Sequence, residues 1–399
     1  MNNKKLNILY HHRTQGRGAE GVHITSIVNA LEAMGHSVTV VSPPGINPMI
    51  HAGNAPVDKS NVKTKGIDSL WKFISKNLPG FLFEISEIIY NIPAMRNLEN
   101  VLSTGKYDII YERYAFYMVA GVIKAKKHKI PFILEANEVS GINDRARKQV
   151  FIRLCKVFEK FIFKKCTSIH TVSSYLKNMI IKQGVPDKDI YVTPNAIDPD
   201  KFSTSEKSPK LVEKYNLNNK VVIGFAGWFD EWDRLDLLAN VFIKMKKNNP
   251  NLVLLLIGDG AVLDNVKNII NANGIQDDVI FTGPVSRKVI HTYLSLLDIA
   301  VITHSNEFGS PVVLFEFMGL KIPVVAPNLM PITDVLVDKK TAMIFETLDM
   351  HDLENTLQEM INSTDLRVQI SDNAYKILMS NHTWHMNSKE ILKSSGVVH

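Results

Sequence analysis

Short apolar runs alternate with helical patterns along almost the whole chain, and they do so in two successive series. The first opens with Leu6 to His11, passes a loop with Gly16, Gly18 and Gly21, and continues as a helical pattern from Val22 to Met34 ended by Gly35. The run Ser37 to Val41 follows, closed by Pro43, Pro44 and Gly45. Strand, helix and strand in this compass form a βαβ unit, whose strands lie parallel in one sheet. Further strands are expected at Tyr107 to Tyr111, Phe132 to Glu135, Ser168 to Val172 and Ile190 to Val192. The second series places strands at Val221 to Phe225, Leu252 to Ile257, Val279 to Thr282, Ile299 to Ile302 and Val324 to Ala326. Helical segments such as Leu263 to Asn273 and Val289 to Leu297 separate them, and one long pattern, Leu353 to Met379, follows. A polar bridge with prolines, Pro199 to Pro209, divides the series. The pattern predicts an α/β chain of two doubly wound, Rossmann-like parallel-sheet domains. Such sheets bind ligands outside the carboxyl ends of their strands, so two facing domains offer a cleft to two substrates.

Length and composition agree with this division. A chain of 399 residues exceeds one ordinary core, and its 45% hydrophobic and 22% charged residues are those of a globular protein. The opening residues lack the apolar core of a signal peptide. The apolar stretch Phe81 to Pro93 is interrupted by Glu84 and Glu87, and neither it nor Leu252 to Ile257 reaches a membrane-spanning length. A cytoplasmic location, at or away from the inner face of the membrane, is therefore expected. Cys155 and Cys166 are too few for a disulfide framework or zinc site. Net charge is +10 over residues 1 to 200 and −4 over 201 to 399, so only the first half has reason to seek anions. Two stretches there mix aromatics with cations: Trp71 to Lys76 continuing through Phe81 and Ile88, and Arg145 to Lys165. Such helices either lie on an anionic bilayer or pack on a sheet with their charges solvated, and both readings stay open. No recognition-helix or RNA-binding signature accompanies the charge, so nucleic acid is not an expected partner.

The most informative run extends from Glu307 to Ala326. It follows an apolar strand, turns at Gly309, Ser310 and Pro311, and enters a short helix. Backbone N–H groups of Gly309 and Ser310 are expected to stand free there, where the positive end of the helix dipole favours phosphate. Glu316 falls one turn into the helix on an apolar face, and a buried carboxylate needs donors such as two ribose hydroxyls. In the first half, Gly16-Arg17-Gly18-Ala19-Glu20-Gly21 lies between strand and helix, with His11, His12, Arg13 and His23 around it. Glu135, Asn137 and Glu138 end another strand at the expected cleft edge.

These segments together resemble the retaining glycosyltransferases of family 4, whose donor site carries a glutamate, a Gly-Ser-Pro turn, a second glutamate and a Met-x-x-Gly-x-Pro-Val-Val segment. Tyr111 to Tyr114, Leu134 to Asn137, Thr171 to Ser173, Pro194 to Asp198, Gly258 to Gly260 and Phe281 to Gly283 are similar to further segments of the family. The resemblance implies a GT-B architecture: an acceptor-side domain over residues 1–198, a donor domain over 199–378, and a segment 379–399 packing back on the first. It also implies transfer of a sugar from a nucleoside-diphosphate sugar to a glycan or lipid-linked hydroxyl acceptor, with retention and without a cofactor or divalent metal. Glu316 would bind the ribose, Glu307 the donor sugar, and the backbone of Gly309, Ser310, Pro311 and Val312 the diphosphate, with Phe308 in the same donor set. Gly227, Gly258, Val285 and Arg287 join this donor set, and Gly18, Ala19, Glu20, Gly21, His23, Glu135 and Asn137 the acceptor side. One departure stands out. Where many members place two cations after the first donor-domain strand this chain has Trp228 and Asp233, and Val313 replaces a lysine found in another subgroup. Arg234 and Arg287 are the remaining candidates to balance a leaving diphosphate. A sugar-nucleotide epimerase and a catalytically silent partner subunit therefore stay open as alternatives.

Overall fold

The computed structural model describes residues 5–16, 18–51, 79–142, 149–202 and 206–397. The expectations for Arg17, for Trp71 to Lys76 and for Arg145 to Lys148 lie outside the described residues, as does the side chain of Ala19. The chain forms two compact units, one comprising Met1–Thr193 with Trp384–His399 and the other Pro194–Thr383. The division falls at 193/194 rather than 198/199, and the second crossing lies at 383/384 rather than after 378. Pro194 to Asp198 belongs to the second unit because Ile197 pairs with Thr383 and its N–H donates to the carbonyl of His382.

The first unit holds a parallel sheet of β1 (Asn7–His11), β2 (Ser37–Val41), β3 (Ile109–Arg113), β4 (Phe132–Ala136), β5 (Ser168–Thr171) and β6 (Ile190–Val192). Their order is β2-β1-β3-β4-β5-β6, so the winding reverses between β1 and β3. The inner strands β1, β3, β4 and β5 are buried almost throughout, whereas the edge strands β2 and β6 are only partly so. The first helix, Gly18–Ala33, begins four residues before the expected Val22 and absorbs the end of the glycine loop. Gly35, at φ +90°, follows its last turn in a conformation open to glycine.

The second unit holds β7 (Val221–Trp228), β8 (Leu252–Asp259), β9 (Val279–Phe281), β10 (Ile299–Val301), β11 (Val324–Pro327) and β12 (Met343–Phe345). All pair in parallel in the order β12-β11-β10-β7-β8-β9, with the reversal between β7 and β10. Alternate residues feed opposite faces: Leu255, Ile257, Ala300 and Ile302 join one core, and Leu254, Leu256, Ile299 and Val301 the other. The sequence pattern does not predict β12. The expected helix Leu353 to Met379 is two helices, Met350–Asn362 and Thr364–Asn381, broken at Ser363, whose side chain caps the second by accepting from the Leu366 N–H. A last helix, Trp384–Ser394, returns to the first unit and packs on Gly18–Ala33. No helix among the described residues is long and apolar enough to cross a membrane. Cys155 and Cys166 are free thiols.

Candidate functional site

In the second unit the loops after β7 and β10 flank the reversal point, where sheets of this kind bind ligands. They are joined there: the Nδ1–H of His304 donates to the Trp232 carbonyl at 2.8 Å, which leaves Nε2 as the other face of the ring. Nothing in the sequence pattern marks His304. Gly227 and Gly258 are register partners at the strand ends, with φ +157° and +136°. A Cβ on Gly258 would lie 1.9 Å from the Gly227 carbonyl oxygen, so glycine is required for the two backbones to meet.

The Gly-Ser-Pro turn is held from two sides. Asn306 Oδ1 accepts from the N–H groups of Phe308 at 3.3 Å and Gly309 at 2.5 Å. The Gly309 N–H is thus engaged within the loop, contrary to the expectation that it stands free. The buried Ser310 hydroxyl oxygen accepts from the Asn195 N–H at 3.0 Å, and the Asn195 amide donates to the Ser310 carbonyl at 2.6 Å. Pro311 then precedes the helix Val312–Gly319, which no side chain caps. The Leu314 N–H donates to the Pro311 carbonyl at 3.2 Å, and the first two N–H groups, of Val312 and Val313, have no intrahelical acceptor by the geometry of any helix start.

Glu316, one turn in, is 3% exposed. Arg287, from the loop after β9, brings Nη2 to 2.6 Å of its Oε1, yet no aligned hydrogen-bond donor reaches that oxygen among the described residues. Burial pushes the Glu316 carboxyl above the usual range, and the Arg287 guanidinium offsets part of the effect. Val285, in the same loop as Arg287, packs half-buried on the core. Glu307 is exposed.

The cations expected near the diphosphate differ sharply. Arg234, at φ +49°, forms a two-pronged pair with Asp236, Nε to Oδ1 and Nη2 to Oδ2 both at 2.9 Å, so its charge is met locally. Trp228 is 63% exposed. Asp233 is buried in a capping box with Asp230, and burial raises its carboxyl to about 7.

The expected acceptor-side residues gather at the carboxyl edge of the first sheet. Gly18 to Gly21 form the first helical turn, with Glu20 exposed, and so do not make a separate loop. Glu135 is buried and saturated: Tyr111 donates to Oε2 at 2.6 Å, Arg113 and Asn137 donate to Oε1, and His23 Nε2 pairs with Oε1 at 3.0 Å. Burial acts to raise this carboxyl, but His23 and Arg113 outweigh it and hold it well below the usual range. The ring of His23 stands edge-on to Trp384 at 4.8 Å. His11 pairs with Glu112 at 2.5 Å, and Arg13 with Glu87. A recess of about 460 Å³ lies elsewhere, against β2 between Val28, Thr39, Met49 and Val101, and none of the expected site residues lines it. Two Asp-x-Asp runs, Asp187 to Asp189 and Asp198 to Asp200, each have one carboxylate on a lysine, Lys177 and Lys201 respectively.

Family models match this frame on both sides of the division: glycosyltransferase family 4 over residues 20–201 and glycosyl transferases group 1 over 207–377. The chain belongs to glycosyltransferase family 4. The glycosyltransferase is 21% identical over 312 residues to an uncharacterised glycosyltransferase of Methanocaldococcus jannaschii, covering 76% of this chain and 79% of that one. It is 22% identical to the D-inositol 3-phosphate glycosyltransferase of Stackebrandtia nassauensis over 73% and 68% of the two chains. Among solved structures it resembles a glycosyltransferase of Rickettsia africae, with TM-score 0.76, 16% identity and 99% of both chains covered. HepE of Anabaena in complex with UDP gives a TM-score of 0.69 at 16% identity, over 98% of this chain and 100% of that one. These likenesses establish the GT-B fold of the glycosyltransferase.

Proposed function

We propose that the glycosyltransferase moves a sugar from a nucleoside-diphosphate sugar to a hydroxyl acceptor of a surface polysaccharide or glycolipid, with retention and without a metal ion. The observation that carries this reading is Glu316: a buried carboxylate whose Oε1 no aligned donor reaches among the described residues, at the sheet edge where nucleotides bind. A ribose supplies two adjacent hydroxyls and answers that demand. The uncapped start of the helix Val312–Gly319 is suited to a diphosphate, and Glu307, exposed in the same loop, to the sugar. HepE, a structural neighbour, has been solved with UDP and with UDP-glucose, which favours a nucleotide sugar as donor. In the reaction the acceptor oxygen bonds to the anomeric carbon as the bond to the diphosphate oxygen breaks on the same face, and the acceptor proton passes to the departing oxygen. A thermal-shift screen of UDP-, GDP- and ADP-sugars on wild type and Glu316→Ala tests the donor. One donor is expected to raise the wild-type Tm and to leave the variant unmoved; a wild type that no donor stabilises overturns the reading.

We also propose contact with anionic membrane through the first unit. Phe81, Leu82, Ile85 and Ile89 are exposed on one helix, Val157 and Phe161 on the helix Ile152–Phe163, with Lys156, Lys160 and Lys164 beside the latter pair. Gly80 lies against Val150, just before the second helix, which brings the two segments together. Apolar side chains ringed by cations suit an anionic bilayer. Co-sedimentation with phosphatidylglycerol vesicles, weakened by Val157→Asp and by salt and absent with phosphatidylcholine alone, is the expected result.

A further inference from the structure

We propose that Arg287 is the cation that meets the donor's diphosphate, and that Glu316 holds it in reserve until the donor arrives. This rests on the nucleotide-sugar reading above. Charge that develops on a leaving diphosphate must be balanced by groups already in place, and such electrostatic stabilisation often contributes more to catalysis than any other effect. Three of the positions expected to supply it do not. Trp228 is neutral, Asp233 is an acid, and Arg234 has both prongs of its guanidinium on Asp236.

Arg287 is differently placed. Its side chain is 44% exposed, and its guanidinium touches Glu316 by one nitrogen and faces the Phe202 ring at 5.8 Å from the centroid. A guanidinium carries five N–H donors in a fixed fork that matches a phosphate two at a time, and the contact with Glu316 supplies no aligned hydrogen bond. The pair thus engages one nitrogen of the guanidinium and one oxygen of Glu316. A nucleoside diphosphate would engage what remains: its ribose hydroxyls donate to Glu316 and its phosphates accept from Arg287. The movement needed is small. Four residues of helix separate Glu316 from the helix start at Val312, which is about 6 Å along the axis and within the sweep of an arginine side chain. The pair therefore serves as a resting contact that the ligand splits, and it supplies from the loop after β9 the charge that the segment after β7 lacks.

The test separates phosphate from nucleoside. Binding of UDP, GDP and ADP, and of uridine, guanosine and adenosine, is measured by ligand-observed NMR and calorimetry on wild type, Arg287→Ala and Arg287→Lys. Wild type is expected to bind one diphosphate more tightly than its nucleoside. Arg287→Ala is expected to weaken that diphosphate at least tenfold and to leave the matching nucleoside within threefold. Arg287→Lys, which retains a counter-charge for Glu316 and so guards against a folding defect, is expected to recover part of the diphosphate affinity. Equal loss of diphosphate and nucleoside in both variants would mean that Arg287 only positions Glu316, and overturns the proposal, as does no loss of either. A wild type that binds none of the diphosphates overturns the nucleotide-sugar reading and this inference with it.

Discussion

Glu135 and Glu316 are both buried carboxylates at the carboxyl edge of a parallel sheet, and their surroundings are opposite. Glu135 receives hydrogen bonds from Tyr111, Arg113 and Asn137 and pairs with His23, so its oxygens are fully occupied from within its own unit. Among the described residues Glu316 has one guanidinium contact and no aligned donor on Oε1. A satisfied buried charge holds structure together, whereas an unsatisfied one is costly to the fold and useful to a ligand. The first sheet edge thus meets its carboxylate from inside the unit and the second does not, a difference that the sequence, which offered Glu316 for the ribose and Glu135 for the acceptor side, did not show.

The contrast can be broken most directly at Glu135. Glu135→Ala strands Arg113 in a buried site, and loss of one partner of a buried pair costs about 3–5 kcal/mol. Chemical denaturation should show that loss, and hydrogen exchange should place it in β3 and β4. Retention of wild-type stability would remove the distinction. Glu316→Gln should behave in the opposite way. It deletes a charge whose carboxyl burial already disfavours, so stability should hold or rise, while loss of two charge-assisted hydrogen bonds should weaken the nucleotide by about 3 kcal/mol, roughly 100-fold. Calorimetry with the donor found in the thermal-shift screen reads the second effect directly.

Acidity should separate the units as well. Burial lowers His12 to about 3 and His170 to about 4, and Glu135 is held low, so in the first unit the unfolded chain binds more protons than the native one. Stability there is full above the unfolded histidine value near 6.5 and is lost as pH falls. In the second unit Asp233 is raised to about 7 and Glu316 is raised, so the native state binds the extra proton. Its stability should instead decline as pH rises from about 4 to 7, by roughly 4 kcal/mol from Asp233, with His382, lowered by burial, opposing part of it. Exchange of β4 and β10 amides between pH 5 and 8 should thus shift in opposite directions, and Asp233→Asn should flatten the second slope. Parallel shifts would refute the assignment. The smallest effect concerns the turn: Ser310→Ala removes the acceptor of the Asn195 N–H and should cost about 1 kcal/mol with a modest loss of nucleotide affinity.

Much of this was legible because sheets buried on both faces leave long apolar runs, and 11 of the 12 strands announce themselves that way. Met343–Phe345 is the exception, and its length does not set it apart, since Ile190–Val192, Val279–Phe281 and Ile299–Val301 are as short. The helix Gly18–Ala33 begins early because its first turn holds two glycines, weak helix formers that sequence patterns assign to loops. The Arg234–Asp236 pair and the Asn306 turn over Gly309 were in reach of local rules, since each closes within three residues. Arg287 on Glu316 and His304 on Trp232 were not, because those pairs are made by topology across 29 and 72 residues.

The first unit includes Trp384–Ser394, whose opening tryptophan lies against His23. The second unit is continuous in sequence, whereas the first is closed by a helix that lies beyond the whole of Pro194–Thr383. Its closing contacts are therefore of much longer range in sequence than those within the second unit, and contacts of that range form slowly.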